Sequence, residues 1–127
     1  MTDLESKLAD LRDAIDEYRS LTVEWEPDIL ATDETGSRVM YPRDAIDRLL
    51  QELEGRVDLA EYKALVLEGD RVLREHAAEY WSWCLADGRH STRERVKPPT
   101  THWWWYLDRP DLWPPLEEGL TSAKSPK

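Results

Sequence analysis

Apolar residues near the start of the chain fall at Leu4, Leu8, Leu11, Ile15 and Tyr18, spaced four, three, four and three apart. That rhythm returns each side chain to one face of an α-helix and is the seam of an antiparallel hairpin or coiled coil. Asp10, Asp13, Asp16 and Glu17 decorate the other side, and Thr2 with Glu5 has the spacing of a capping box. The pattern predicts a helix over 3–21. Three heptads are too few for a stable isolated coil, so the helix is expected to dock inside a small bundle.

The helical period disappears between Thr22 and Tyr41. Ile29-Leu30-Ala31-Thr32 and Arg38-Val39-Met40-Tyr41 flank Asp33-Glu34-Thr35-Gly36-Ser37, which is turn chemistry between two β-capable runs. A short β-hairpin at 28–41 and a long connecting loop both satisfy this pattern. After Pro42 the period resumes, with Ile46, Leu49, Leu50 and Leu53 on one face and Gly55 as the stop, giving a second helix over 43–54.

A third helix is predicted over 59–86, opened by Asp58 and Glu61 and closed by Asp87-Gly88. Leu59, Tyr62, Val66, Gly69, Leu73, His76, Tyr80 and Trp83 step by threes and fours along it. At 1.5 Å per residue the whole span is roughly 42 Å long. Ala77, Ala78, Tyr80, Trp81, Trp83, Cys84 and Leu85 nearly encircle its last turns. A helix apolar all round is surrounded, so Trp81 and Trp83 are expected to be buried. The fold class is thus mostly α: three main helices, a C-terminal arm rich in Trp and Pro, one domain over 1–118 and a flexible tail over 119–127.

Trp103-Trp104-Trp105, between His102 and Tyr106, is the sharpest feature of that arm. On a strand Trp103 and Trp105 share a face and Trp104 takes the other; on an α-helix the three fan over roughly 200°. The segment is therefore either sandwiched within the fold or shared with a partner. If shared, Trp104 is the member expected to face outward, beside Tyr106 or Trp113. The stretch from Gly88 to Thr101 is the basic one, with Arg89, His90, Arg93, Arg95 and Lys97 against Glu94. Trp, Tyr and Arg are the residues that carry interface energy. The expected partner-binding set is Trp103, Trp104, Trp105, Tyr106, Trp113, Arg89, Arg93 and Arg95.

Composition narrows the functional classes. The 127 residues carry a net charge of −10, which disfavours nucleic acid and anionic membranes as partners over most of the surface. No run of apolar residues is long enough to span a bilayer, and the start of the chain lacks the basic-then-apolar pattern of a secretory signal. The single cysteine, Cys84, fits a reducing cytoplasm. His76, Cys84, His90 and His102 together offer nitrogen and sulfur donors, but His76 and Cys84 stand about 12 Å apart along a helix and none of the short zinc-ligand pairs is present. Neither a metal nor a cofactor is implied. The glycines never cluster, and no nucleophile-elbow pattern surrounds Ser82 or Ser91.

Arg71-Val72-Leu73-Arg74-Glu75-His76 resembles the Arg-x(4–6)-His signature of the HEPN ribonucleases, a family of small, helical, dimeric proteins. The resemblance covers six residues. It implies a ribonuclease with Arg71 as phosphate binder and His76 in the cutting site. Val72 departs from the polar residue that usually follows the arginine. On a regular helix Arg71 and His76 sit about 140° apart, so a shared site would need a dimer or a long arginine reach. The leading expectation is a non-enzymatic protein-interaction module, regulatory, adaptor or antitoxin-like, binding another chain or a second copy of itself. The ribonuclease and a small-ligand binder with Trp stacking are the alternatives.

Overall fold

The computed structural model describes residues 2–24, 39–86, 93, 94 and 96–121. Four α-helices are described: α1 (Asp3–Leu21), α2 (Met40–Leu53), α3 (Ala60–Glu75) and α4 (Ala77–Ala86). Two 3₁₀ turns follow, at Trp103–Trp105 and Pro110–Leu112. No strand occurs among the described residues.

The capping box at the head of α1 forms as expected. The Thr2 hydroxyl accepts from the Glu5 amide at 3.1 Å, and the Glu5 carboxylate accepts from the Thr2 amide at 3.0 Å. The two bonds satisfy two donors left over at the helix start. Leu11, Ile15 and Tyr18 of the expected seam are buried, and Leu4 and Leu8 pack partly against the same core. Contacts give the helix directions. Lys7 at the head of α1 pairs with Glu52 at the foot of α2, while Tyr18 lies under Arg43 at the head of α2, so these two helices run antiparallel. Arg12 donates to Tyr62, and Arg19 pairs with Glu68, so α1 and α3 run parallel. Gly69 permits the closest approach: an added Cβ would come 2.7 Å from the Tyr18 ring and 3.1 Å from the Thr22 hydroxyl.

Four expectations need correction. First, α2 begins at Met40 instead of Arg43, so Met40 and Tyr41 are helical and not the end of a strand. Pro42 fits inside that first turn because the amide it lacks would have had no helical partner. The remainder of the proposed hairpin, 25–38, lies outside the described residues. Second, the long third helix is broken at His76, whose backbone (φ −114°, ψ 27°) caps α3 before α4 starts. The apolar rhythm hides the break, since Leu73, Ala77 and Tyr80 are buried on both sides of it at spacings of four and three. No proline or glycine marks it. Third, the first turns of α4 are not covered all round: Ala77 and Tyr80 are buried, Trp81 is half-buried and Ala78 is exposed. The side chains of Trp83 and Cys84 lie outside the described residues. Fourth, the expected tail does not begin at Gly119. That residue is buried, and its carbonyl accepts from Trp103 Nε1 and Arg43 Nη2.

Gly55 stops α2 as expected, at φ +80°, in the left-handed region that side chains with a Cβ avoid. The Asp58 carboxylate accepts from the Ala60 amide at 3.0 Å at the entry to α3.

A buried aromatic and guanidinium cluster as the candidate functional site

Two charged residues sit where the helical rhythm puts apolar ones. Arg43 leads the stripe Ile46, Leu50, Leu53 on α2, and Asp70 falls between Val66 and Leu73 on α3; all seven are buried. Burying a lone charge is costly, so each must find its partner in the core. Arg43 Nε and Nη2 donate to the two Asp70 oxygens at 2.9 Å each, a bidentate pair with both side chains fully enclosed. Asp70 Oδ1 also accepts from the Tyr18 hydroxyl at 2.6 Å. Burial, followed by the negative charge of Asp70, pushes the Tyr18 phenol well above its ordinary range. Burial works against the Arg43 cation, but Asp70 outweighs it and the net shift is upward.

The tryptophan triplet closes over this pair. It forms neither strand nor α-helix but a 3₁₀ turn, with three residues per turn, so its side chains leave in three directions. Each direction meets protein. Trp104 places its ring 4.2 Å from the Arg43 guanidinium carbon, and its indole N–H donates to Asp44 at 2.7 Å. Trp105 donates to both oxygens of the same carboxylate, at 3.0 and 3.1 Å. Trp103 takes a different partner and donates to the Gly119 carbonyl at 2.9 Å. All three rings are buried, Trp104 at 0% exposure. This corrects the expectation that Trp104 faces outward. The triplet is a core device, sandwiched between α2 and the segment 114–121, the C-terminal strap.

Around it the flanking residues lock the arm. His102 stacks on Trp104 with ring centroids 4.9 Å apart. Its Nδ1 lies 3.5 Å from Asp44 and its Nε2 lies 3.3 Å from Asp47, so both ring nitrogens face carboxylates of α2. Arg93 grips the arm from outside: it pairs with Asp108 through two bonds of 2.7 and 3.3 Å and donates to the Trp105 carbonyl. Its guanidinium carbon also lies 4.5 Å from the Trp81 ring and 5.0 Å from the Tyr106 ring. Trp113 donates to the Tyr106 carbonyl at 2.9 Å. Thus Arg93, Tyr106 and Trp113, expected at a partner surface, are engaged within the chain, although each keeps part of its surface in water. Arg89, Arg95 and His90 lie outside the described residues.

Arg74 is the second guanidinium of the cluster. Its carbon lies 4.2 Å from the Trp103 ring and 5.5 Å from that of Trp113. Burial lowers its pKa, with the charge of Asp70 opposing and that of Arg43 assisting. Of the two residues of the ribonuclease alternative, Arg71 is exposed and His76 sits at the helix break with its Nδ1 2.7 Å from Glu79. Among the described residues, no group of three or more His, Cys, Asp or Glu is placed to hold a metal ion, and no helix is long and apolar enough to cross a membrane.

Asp44, Asp47, Asp70, Arg43 and Arg74 escaped sequence reasoning. The signal for Arg43 and Asp70 was their register: each occupies a seam position of an otherwise apolar stripe. Asp44 carries no such mark among so many carboxylates. Comparison with known proteins finds no matching family model, no matching curated protein and no matching solved structure.

Proposed function

We propose that this chain is a non-enzymatic interaction module: a small helical bundle whose arm-covered face binds another protein chain. The observation that supports this is the placement of its exposed apolar side chains. Among the described residues the large exposed hydrophobics are Tyr41, Leu65 and Val96, at 50%, 38% and 52% exposure. Two of these three connect to Trp105, Tyr41 directly and Val96 by way of Arg93. Tyr41 meets its ring edge to face at 5.9 Å, and Val96 belongs to the turn whose Arg93 binds the Trp105 carbonyl. Half-exposed Tyr106 and Trp81 flank the same arginine. A group of apolar residues left in water on a rigid aromatic base is what a binding surface requires.

On this reading the tryptophans are the scaffold of the surface and Tyr41 and Val96 its contacts. A second copy of the chain is the partner to test first, in a reducing cytoplasm. Sedimentation equilibrium of the wild type should show self-association that Tyr41→Asp with Val96→Asp abolishes while the helical signal persists. A photo-crosslinker at position 41, used in the native cell, covers a different partner. A monomeric wild type that also gives no crosslinked product rejects the reading.

A further inference from the structure

Two arginines, one carboxylate and two indoles meet between α3 and the C-terminal strap, and their hydrogen bonds do not close. Arg43 uses its Nε and Nη2 edge to hold both oxygens of Asp70. On Arg74 the same two atoms, Nε and Nη2, are buried and have no acceptor. That edge is a pair of parallel donors matched to the two oxygens of a carboxylate. Buried donors of a cation cost free energy when unmade, so the edge is a strong site for an acceptor.

Charge and shape point the same way. Asp70 is bonded to Arg43 and reaches Arg74 only through its charge, so among the described residues no carboxylate is bonded to the Arg74 cation. The desolvation that lowers the Arg74 pKa would be relieved by an anion at this edge. A single cation suits a monoanion better than a phosphate dianion, the more so in a chain of net charge −10. The indoles of Trp103 and Trp113 border the guanidinium and admit a flat group in preference to a tetrahedral one. We propose that the Nε and Nη2 edge of Arg74 is a binding site for a carboxylate, bordered by Trp103 and Trp113 and lidded by the strap around Gly119.

The lid follows from the contacts. An added Cβ on Gly119 would come 2.9 Å from Arg74 Nη2, so the strap backbone lies directly over the edge. The strap is fastened by three hydrogen bonds: the Gly119 carbonyl accepts from Trp103 Nε1 at 2.9 Å and Arg43 Nη2 at 3.1 Å, and the Leu120 carbonyl from Arg43 Nη2 at 2.8 Å. Entry of a carboxylate requires these to loosen, so binding and strap opening are linked. The site is independent of the Tyr41 and Val96 surface.

The test is a titration of ¹⁵N-labelled wild type followed at the Arg74 Nε–H resonance. Three probes are used: sodium acetate, a tetrapeptide with a free C-terminus, and the same peptide amidated, each against sodium chloride at matched ionic strength. A saturable shift with acetate or the free-acid peptide, absent with the amidated one, supports the site. Acetate alone identifies a small acid as the ligand class, and the peptide alone identifies a chain carboxylate. Arg74→Lys, which keeps the charge and loses the fork, should weaken binding about tenfold or more, read in both proteins at the Trp103 indole N–H resonance. Gly119 amide exchange should quicken with the bound probe. If no carboxylate shifts the wild-type resonance beyond chloride, solvent satisfies the edge and the proposal is overturned; that measurement stands even where Arg74→Lys fails to fold.

Discussion

The two ends of α2 are held by different physics. Its C-terminal half presents Leu49, Leu50 and Leu53 to a core shared with Leu11 and Leu59, where burial of apolar surface does the work. Its first turns present Arg43, Asp44 and Asp47 to Asp70, the indoles and His102, where each contact has a direction and a charge. Hydrophobic burial is non-directional, so one aliphatic side chain can replace another at modest cost. A bidentate ion pair under a tryptophan has no substitute of similar shape. The aliphatic end should therefore tolerate exchange, and the polar end should fail on single-atom changes.

The largest effect is expected at Asp70. Asp70→Asn keeps the shape but leaves Arg43 as an uncompensated buried cation, and should cost about 3–5 kcal/mol in urea unfolding. Exchanging both partners, Arg43→Met with Asp70→Leu, removes the charges together and should cost much less than Asp70→Asn alone. Equal losses in the single and the double variant would show that shape, not charge pairing, matters at this end.

Leu50 sharpens the contrast. It is fully buried, so Leu50→Ala should cost about 2–5 kcal/mol through lost transfer energy and a residual cavity. Leu50→Met should cost under about 1.5 kcal/mol. A steep loss with methionine, measured by the same denaturation curve, would put the aliphatic end in the exacting class too.

The same division explains what was legible in the sequence. The α1 seam, its capping box and the stop at Gly55 are local: each is decided by residues within one or two turns, so spacing alone reveals them. The arm was legible only as a choice between sandwiching and sharing, because its partners are remote. Trp104 and Trp105 find Asp44 about sixty positions away in the chain, and Trp103 finds a backbone carbonyl, which no residue type advertises. The break at His76 stayed hidden because the apolar spacing continues across it. Arg43 and Asp70 carried a signal in their register that the apolar spacing alone left unread, and only their pairing explains why a seam tolerates them.

Alkaline pH tests whether the polar end is as closed as its geometry implies. Burial raises the phenol of Tyr80, whose hydroxyl donates to the Leu21 carbonyl, and raises that of Tyr18 still more clearly. Both groups bind their protons more tightly when folded. Their contribution is fully present below the unfolded pKa near 10 and is lost as pH rises from there toward the folded values. Each phenol should remove about 1.4 kcal/mol of stability per pH unit across that window. Absorbance at the phenolate band should report these two tyrosines ionising together with unfolding. Ionisation of Tyr18 in a still-folded chain would mean that the Tyr18 and Asp70 contact is open to water.

Asp44 offers the finest cut, because it separates the two directions in which the triplet is held. Its carboxylate accepts from Trp104 and Trp105 and lies beside His102, whereas Trp103 is fastened to the strap through Gly119. Asp44→Ala strips the acceptor from two buried indole N–H groups at once, and an unmade buried bond costs about 1–3 kcal/mol. The loss should fall in the lower part of that range, because the site is only part-buried and water can reach the vacated space. Tryptophan fluorescence should shift to the red as Trp104 and Trp105 meet that water, while amide exchange at Gly119 stays slow because the strap keeps its own bonds. If exchange at Gly119 accelerates together with the red shift, the triplet moves as one unit. The division within α2 would then extend to the whole arm, with Asp44 as its single fastening.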